Sequence, residues 1–123
     1  MIKLLVKLSM INTLMKHKPN IDLRGLAETL IELSIISTQS ELSSLAGKQL
    51  SWTSSTLARN RNPSIDALTH LYVNISDILF DTKEYAISVA DQEDAESYLV
   101  AAADLKNITE LLWGEIEERC QNA

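Results

Sequence analysis

Apolar residues recur three and four positions apart along almost the whole chain, the spacing that lines one face of an α-helix. The opening stretch, Met1 to Met15, predicts an amphipathic helix. Lys3 and Lys7 interrupt its apolar run, no small-residue cleavage site follows, and it is shorter than the roughly 20 apolar residues of a membrane span. Met10 and Met15 leave later starts open. Lys16 to Asn20 then breaks the pattern, because Pro19 cannot continue a helix and turns Lys18 away from helical geometry.

Asp22 predicts the cap of the next helix, whose stripe is Leu23, Leu26, Leu30 and Leu33 and whose end falls near Ile35 to Ser37. Thr38-Gln39-Ser40-Glu41 reads as a capping box, the Thr hydroxyl and the Glu carboxylate each satisfying an orphan backbone N–H, at the start of a short helix carrying Leu42 and Leu45. Gly47 stops that helix where the backbone needs positive φ. Ser51 is the candidate cap of a third short helix, Trp52 to about Asn60, and a polar elbow, Arg59 to Asn62, follows.

Pro63 suits the first turn of the next helix, on which Ile65, Leu68, Tyr72, Ile75 and Leu79 form a 3-4-3-4 stripe. Asp81-Thr82-Lys83-Glu84 repeats the capping-box pattern and predicts a separate helix with Tyr85 and Val89. The last helix is predicted from Gln92 to about Cys120, with Tyr98, Ala102, Leu105, Leu112 and Ile116 on one side and Ile108 and Trp113 flanking. At about 43 Å it outruns what one small core covers, so part of it is expected to pack against a second subunit, making Tyr98, Leu105, Ile108, Leu112, Trp113 and Ile116 the candidate dimerisation residues.

These elements define an all-α protein with a core of four to five helices and an additional long C-terminal helix. The expected organisation is an N-terminal amphipathic segment at 1–19, a helical domain at 20–80 and a C-terminal extension at 81–123. Composition agrees: three glycines and two prolines leave too little turn chemistry for a β-sandwich. Cys120 is the only cysteine, so no disulfide forms within the chain and the cytoplasm is the expected compartment.

Net charge is −6, unevenly spread. Residues 1–62 hold eight Lys and Arg against four Asp and Glu, and residues 63–123 hold three against thirteen. An acidic protein as a whole does not seek nucleic acid, but a basic half can turn one face to phosphates. The acidic half reads equally as a solvated surface.

Thr38 to Gly47 followed by Lys48 to Ser64 resembles the lambda-repressor-like (Cro-type) helix-turn-helix family. The resemblance rests on the Thr-Gln-x-Glu-Leu opening, the turn glycine, a Ser-rich second helix, and a basic loop ending in Pro-Ser before a helix rich in Leu and Ile. It extends to Asp22–Ile36 as first helix and Pro63–Leu79 as fourth. Where the family has aliphatic residues at two inward positions, this chain has Thr53 and Thr56, and Arg59 stands where a glycine commonly ends the recognition helix. Leu57 and Trp52 are placed to compensate by packing.

The resemblance implies a lambda-repressor-like core that binds double-stranded DNA. Gln39, at a helix N-terminus, would hold a phosphate. Gln49, Leu50, Ser51, Ser54 and Ser55 would face the major groove, where Gln pairs with adenine, Ser donates or accepts, and Leu touches a thymine methyl. Lys48, Arg59 and Arg61, with Asn62 in the same loop, would contact the backbone and add affinity without sequence information. Trp52 suits either the core or a sugar-phosphate contact.

Nothing in the chain points to catalysis or a cofactor. His17 and His70 lie far apart without Cys, Asp or Glu at metal-ligand spacing, and neither a Gly-rich phosphate loop nor a Gly-x-Ser-x-Gly elbow occurs. Asp91, Glu93, Asp94 and Glu96 read as the first turn of a helix, offsetting its dipole. The expected function is a dimeric, sequence-specific transcriptional regulator from a compact bacterial locus, not an enzyme and not a membrane protein. The alternative is a helical protein-interaction module, such as an antitoxin or adaptor, that keeps the helices, does not read DNA and binds a protein partner through its acidic C-terminal helix.

Overall fold

The structure, a computed structural model, describes residues 21–89 and 91–122, and the predicted amphipathic segment at 1–19 lies outside them. The described residues form five α-helices and no strand: α1 (Leu23–Glu32), α2 (Gln39–Leu45), α3 (Trp52–Ala58), α4 (Ile65–Ser88) and α5 (Gln92–Gln121). No helix among them is long and apolar enough to cross a membrane.

The starts of the helices show which polar side chains act as caps. Asp22 accepts from the Gly25 N–H at 3.0 Å, and Asp91 accepts from the Glu93 N–H at 2.9 Å. Three other starts differ from expectation. Thr38 makes no side-chain cap bond, and the Glu41 carboxylate reaches back past it to the Ser37 N–H, so neither bond of the predicted box forms as expected. Ser51 makes none either. Pro63 stands one residue before the cap of α4, which is Ser64, accepting from the Ala67 N–H at 3.1 Å.

The ends of α1, α2 and α3 share one solution. In each, a residue at positive φ follows the last turn: Ser34 (61°), Gly47 (69°) and Asn60 (51°). The next N–H returns to a carbonyl five residues back, as Ile35 to Leu30 (3.0 Å), Lys48 to Ser43 (2.9 Å) and Arg61 to Thr56 (3.0 Å). This brings the end of α1 forward to Glu32 from the predicted Ile35 to Ser37, and that of α3 to Ala58 from Asn60. Glycine is needed at position 47 for a further reason: a Cβ there would stand 2.7 Å from Cδ2 of His70. Gly47→Ala is therefore expected to lower stability by about 2 kcal/mol, most of it backbone strain. Adding His70→Ala should recover only the minor, steric part, as a double-mutant cycle of chemical denaturation would show.

α4 is one 24-residue helix, not the predicted pair. Asp81 to Glu84 lies inside it, and Thr82 spends its hydroxyl on the Ile78 carbonyl at 2.7 Å rather than capping a new start. α4 and α5 run antiparallel: Pro63 meets Arg119, Tyr72 packs on Trp113 with ring centroids 5.4 Å apart, and Tyr85 meets Tyr98 edge-on at 4.6 Å. Near their open end α1, α2 and α3 pack on them. The core gathers Leu23, Leu26, Ala27, Leu30 and Ile36 with Leu42 and Ala46, and sets them against Ala67, Leu68, Leu71 and Ile75 of α4 and Leu105, Ile108, Leu112 and Ile116 of α5.

This packing corrects the reading of the last helix. Leu105, Ile108, Leu112 and Ile116 are buried in the chain's own core, because Ala67 to Ile75 of α4 pack along one side of them and the three short helices close over the other. Of the six candidate dimerisation residues only Tyr98 (38% exposed) and Trp113 (48%) present substantial surface. On α4 the buried set is Ala67, Leu68, Leu71 and Ile75, so the stripe is rotated from the predicted one, with Tyr72 and Leu79 half-buried and Ile65 exposed.

Candidate nucleic-acid interface

α2 and α3 are joined by a tight turn from Ala46 to Ser51 and locked by a single side chain. The Ser43 hydroxyl, fully buried, accepts from the Thr53 N–H at 2.9 Å and lies 2.7 Å from the Thr53 hydroxyl. The first N–H groups of a helix lack partners within it, and Ser43 of α2 fills that role for α3 where its own Ser51 does not. Thr53 is thus buried without an unsatisfied polar atom, and Thr56 is buried beside it. Trp52 and Leu57 pack half-buried on the core.

Those inward contacts leave a defined outward face. Gln49, Leu50, Ser51, Ser54 and Ser55 are all exposed, Leu50 by 63%. The Ser54 hydroxyl bonds the Ser51 carbonyl at 3.1 Å within the helix. Arg59, Arg61 and Asn62 are exposed on the following segment. Asn60 takes the left-handed position that closes α3, a role that a short polar side chain tolerates and that the sequence reading had assigned to no residue. Gln39, the first residue of α2, is half-buried.

Lys48 differs from its expected role. Its Nζ lies 2.9 Å from Oδ2 of Asp66, and the ammonium holds the Asp66 carboxyl below its ordinary range. His70 sits on the same carboxylate's other side, its Nδ1 2.8 Å from the Asp66 carbonyl oxygen and 3.6 Å from Oδ1. Lys48 is therefore engaged by an acid of α4, so a phosphate there would have to compete with Asp66, whereas Arg59 and Arg61 stand exposed.

Arg119 is the residue that sequence reasoning missed. Its Nε lies 2.6 Å from Oε2 of the fully buried Glu115, and its Nη1 donates to the Pro63 carbonyl. The end of α5 thereby fastens the segment that carries Arg59, Arg61 and Asn62. The spacing of four between Glu115 and Arg119 is visible in the sequence, but a surface pair would look identical. The chain matches no protein-family model, no curated protein and no solved structure.

Proposed function

We propose that residues 38–64 form a lambda-repressor-like helix-turn-helix that binds double-stranded DNA and makes the protein a transcriptional regulator. The observation that carries this reading is the two-sidedness of α3. Its inward residues, Thr53 and Thr56, are buried and its outward residues Ser54 and Ser55 stand exposed beside Gln49, Leu50 and Ser51 and two exposed arginines. In the proposed complex Gln49, Ser51 and Ser55 read base edges, Leu50 touches a methyl group, and Arg59 and Arg61 hold phosphates. A dimer would set two such helices about 34 Å apart, drawing on surface that α5 still exposes around Tyr98 and Trp113.

Competitive selection from random duplex DNA, followed by titration at two salt concentrations, tests the reading. Arg61→Ala is expected to weaken binding to all sequences alike and to reduce the log-log salt slope by about 0.9. Gln49→Ala is expected to cost roughly 1–3 kcal/mol on the selected site and far less on scrambled DNA. Wild-type protein that enriches no sequence would overturn the reading. A second reading, a protein-interaction module without DNA binding, draws support from the pairing of Lys48 with Asp66, which takes one cation off the proposed face.

A further inference from the structure

On the side away from the short helices, α4 and α5 carry a second apolar face that none of the described residues covers. Of the ten large hydrophobic residues exposed among those described, six stand on it: Ile65, Val73, Phe80 and Ile87 of α4, with Leu99 and Trp113 of α5. At 100° per residue the four on α4 fall within one arc of about 80°, turned away from Asn74, whose amide reaches the Leu45 carbonyl of α2. The contact of Tyr72 with Trp113 joins that arc to the side of α5 that bears Leu99. Tyr85 and Tyr98 pack on each other at the opposite side. Thr69, Ser76 and Lys83 complete the arc on α4, which carries no carboxylate, while Asp66, Asp77, Asp81 and Glu84 all fall on the neighbouring side of the helix. The acids of an acidic helix are kept off this face.

At about 150–250 Å² for a large side chain, the exposed fractions, led by Ile87 at 78% and Phe80 at 64%, leave roughly 600 Å² of apolar surface open. That reaches the upper end of the largest patch on an ordinary monomer, about 300–600 Å². It is also most of the roughly 800 Å² that each partner gives to a stable interface, and the half-buried Tyr72 and Leu79 at its edge supply more. We propose that this face pairs with the same face of a second copy, the two α4 helices running antiparallel about a two-fold axis beside Ser76. Ile65 and Ile87 lie eleven residues on either side of Ser76, so the stripe is its own complement in this register. Phe80 of one copy then meets Tyr72 and Trp113 of the other, and the small side chain of Ser76 sits at the axis, where the backbones come nearest. Charge selects the direction. A parallel pairing would set the two Lys83 ammoniums side by side in an apolar seam, whereas the antiparallel one holds them about 21 Å apart along the helices. The pairing does not rest on the DNA reading, since a monomer can still select a DNA site and a dimer need not bind DNA.

Sedimentation equilibrium of the full chain at micromolar concentration is expected to return twice 13.7 kDa. Phe80→Asp and Ile87→Asp, each at a side chain that its own chain leaves exposed, are expected to return 13.7 kDa with an unchanged helical circular dichroism signal. Tyr98→Ser, on the opposite side, is expected to leave the dimer intact. A wild-type mass of 13.7 kDa overturns the proposal. So does a dimer that survives both substitutions on α4, or one that dissociates with Tyr98→Ser. Cross-linking reads the direction. In a Cys120→Ser background, Ser76→Cys is expected to form a disulfide-linked dimer on mild oxidation and Lys83→Cys is not. A link at position 83, or none at position 76, would overturn the antiparallel register.

Discussion

Arg119→Ala is expected to destabilise the protein by about 3 kcal/mol, lowering the melting temperature by about 10 °C. The cost does not come from a strong ion pair. Glu115 is 1% exposed, and removing its cation leaves an ionised carboxylate in the core with neither water nor a donor beside it. The same substitution strips the Pro63 carbonyl of the Arg119 donor. Replacing both members, as Glu115→Leu with Arg119→Met, is expected to fall within about 1 kcal/mol of wild type, because apolar residues of similar volume do not have to be desolvated as ions. Thermal melts of the single and double variants separate the two accounts. A single variant no worse than the double would mean that Glu115 finds water or another partner.

This pair also marks where a sequence stops being legible. Apolar spacing located all five described helices, and local chemistry placed some of their ends well, since Asp22, Gly47 and the long run from Gln92 act within a few residues of themselves. Signals that need tertiary context misled. Asp81 to Glu84 has the composition of a helix start, yet the chain continues through it because Ile75, Ile78, Leu79 and Ala86 keep packing toward the core on both sides of it. Leu105 and Leu112 are covered by the earlier part of α4 and by the short helices, an arrangement that spacing along α5 alone does not reveal. In the candidate interface, the outward positions Ser54 and Ser55 of α3 come from the resemblance, and both side chains are exposed. The engagement of Lys48 by Asp66, 18 residues away, and the fastening of Pro63 by Arg119, 56 residues away, were not legible, because no local rule links such positions.

Ser43→Ala is the other substitution expected to cost about 3 kcal/mol, for a reason specific to how α3 is seated. Ser43 is 0% exposed and serves two groups of Thr53, the N–H at 2.9 Å and the hydroxyl at 2.7 Å. Deleting one oxygen leaves both without that partner in a place water does not reach, and each such orphan costs about 1–3 kcal/mol. Thr53→Val removes less. The Thr53 N–H keeps its acceptor, the Ser43 hydroxyl still has the Gln39 carbonyl at 3.4 Å, and the expected loss is about 1 kcal/mol. The order of the two variants in urea denaturation is therefore the test, since a simple loss of packing volume would make the two nearly equal. The consequence reaches the proposed interface, because the Ser43 bond fixes the first turn of α3, next to Gln49, Leu50 and Ser51. Below its own melting temperature, Ser43→Ala is expected to lose preference for a selected DNA site while keeping its salt-dependent affinity for any duplex. A variant that melts with wild type would show that the α2–α3 junction is seated by its apolar contacts alone.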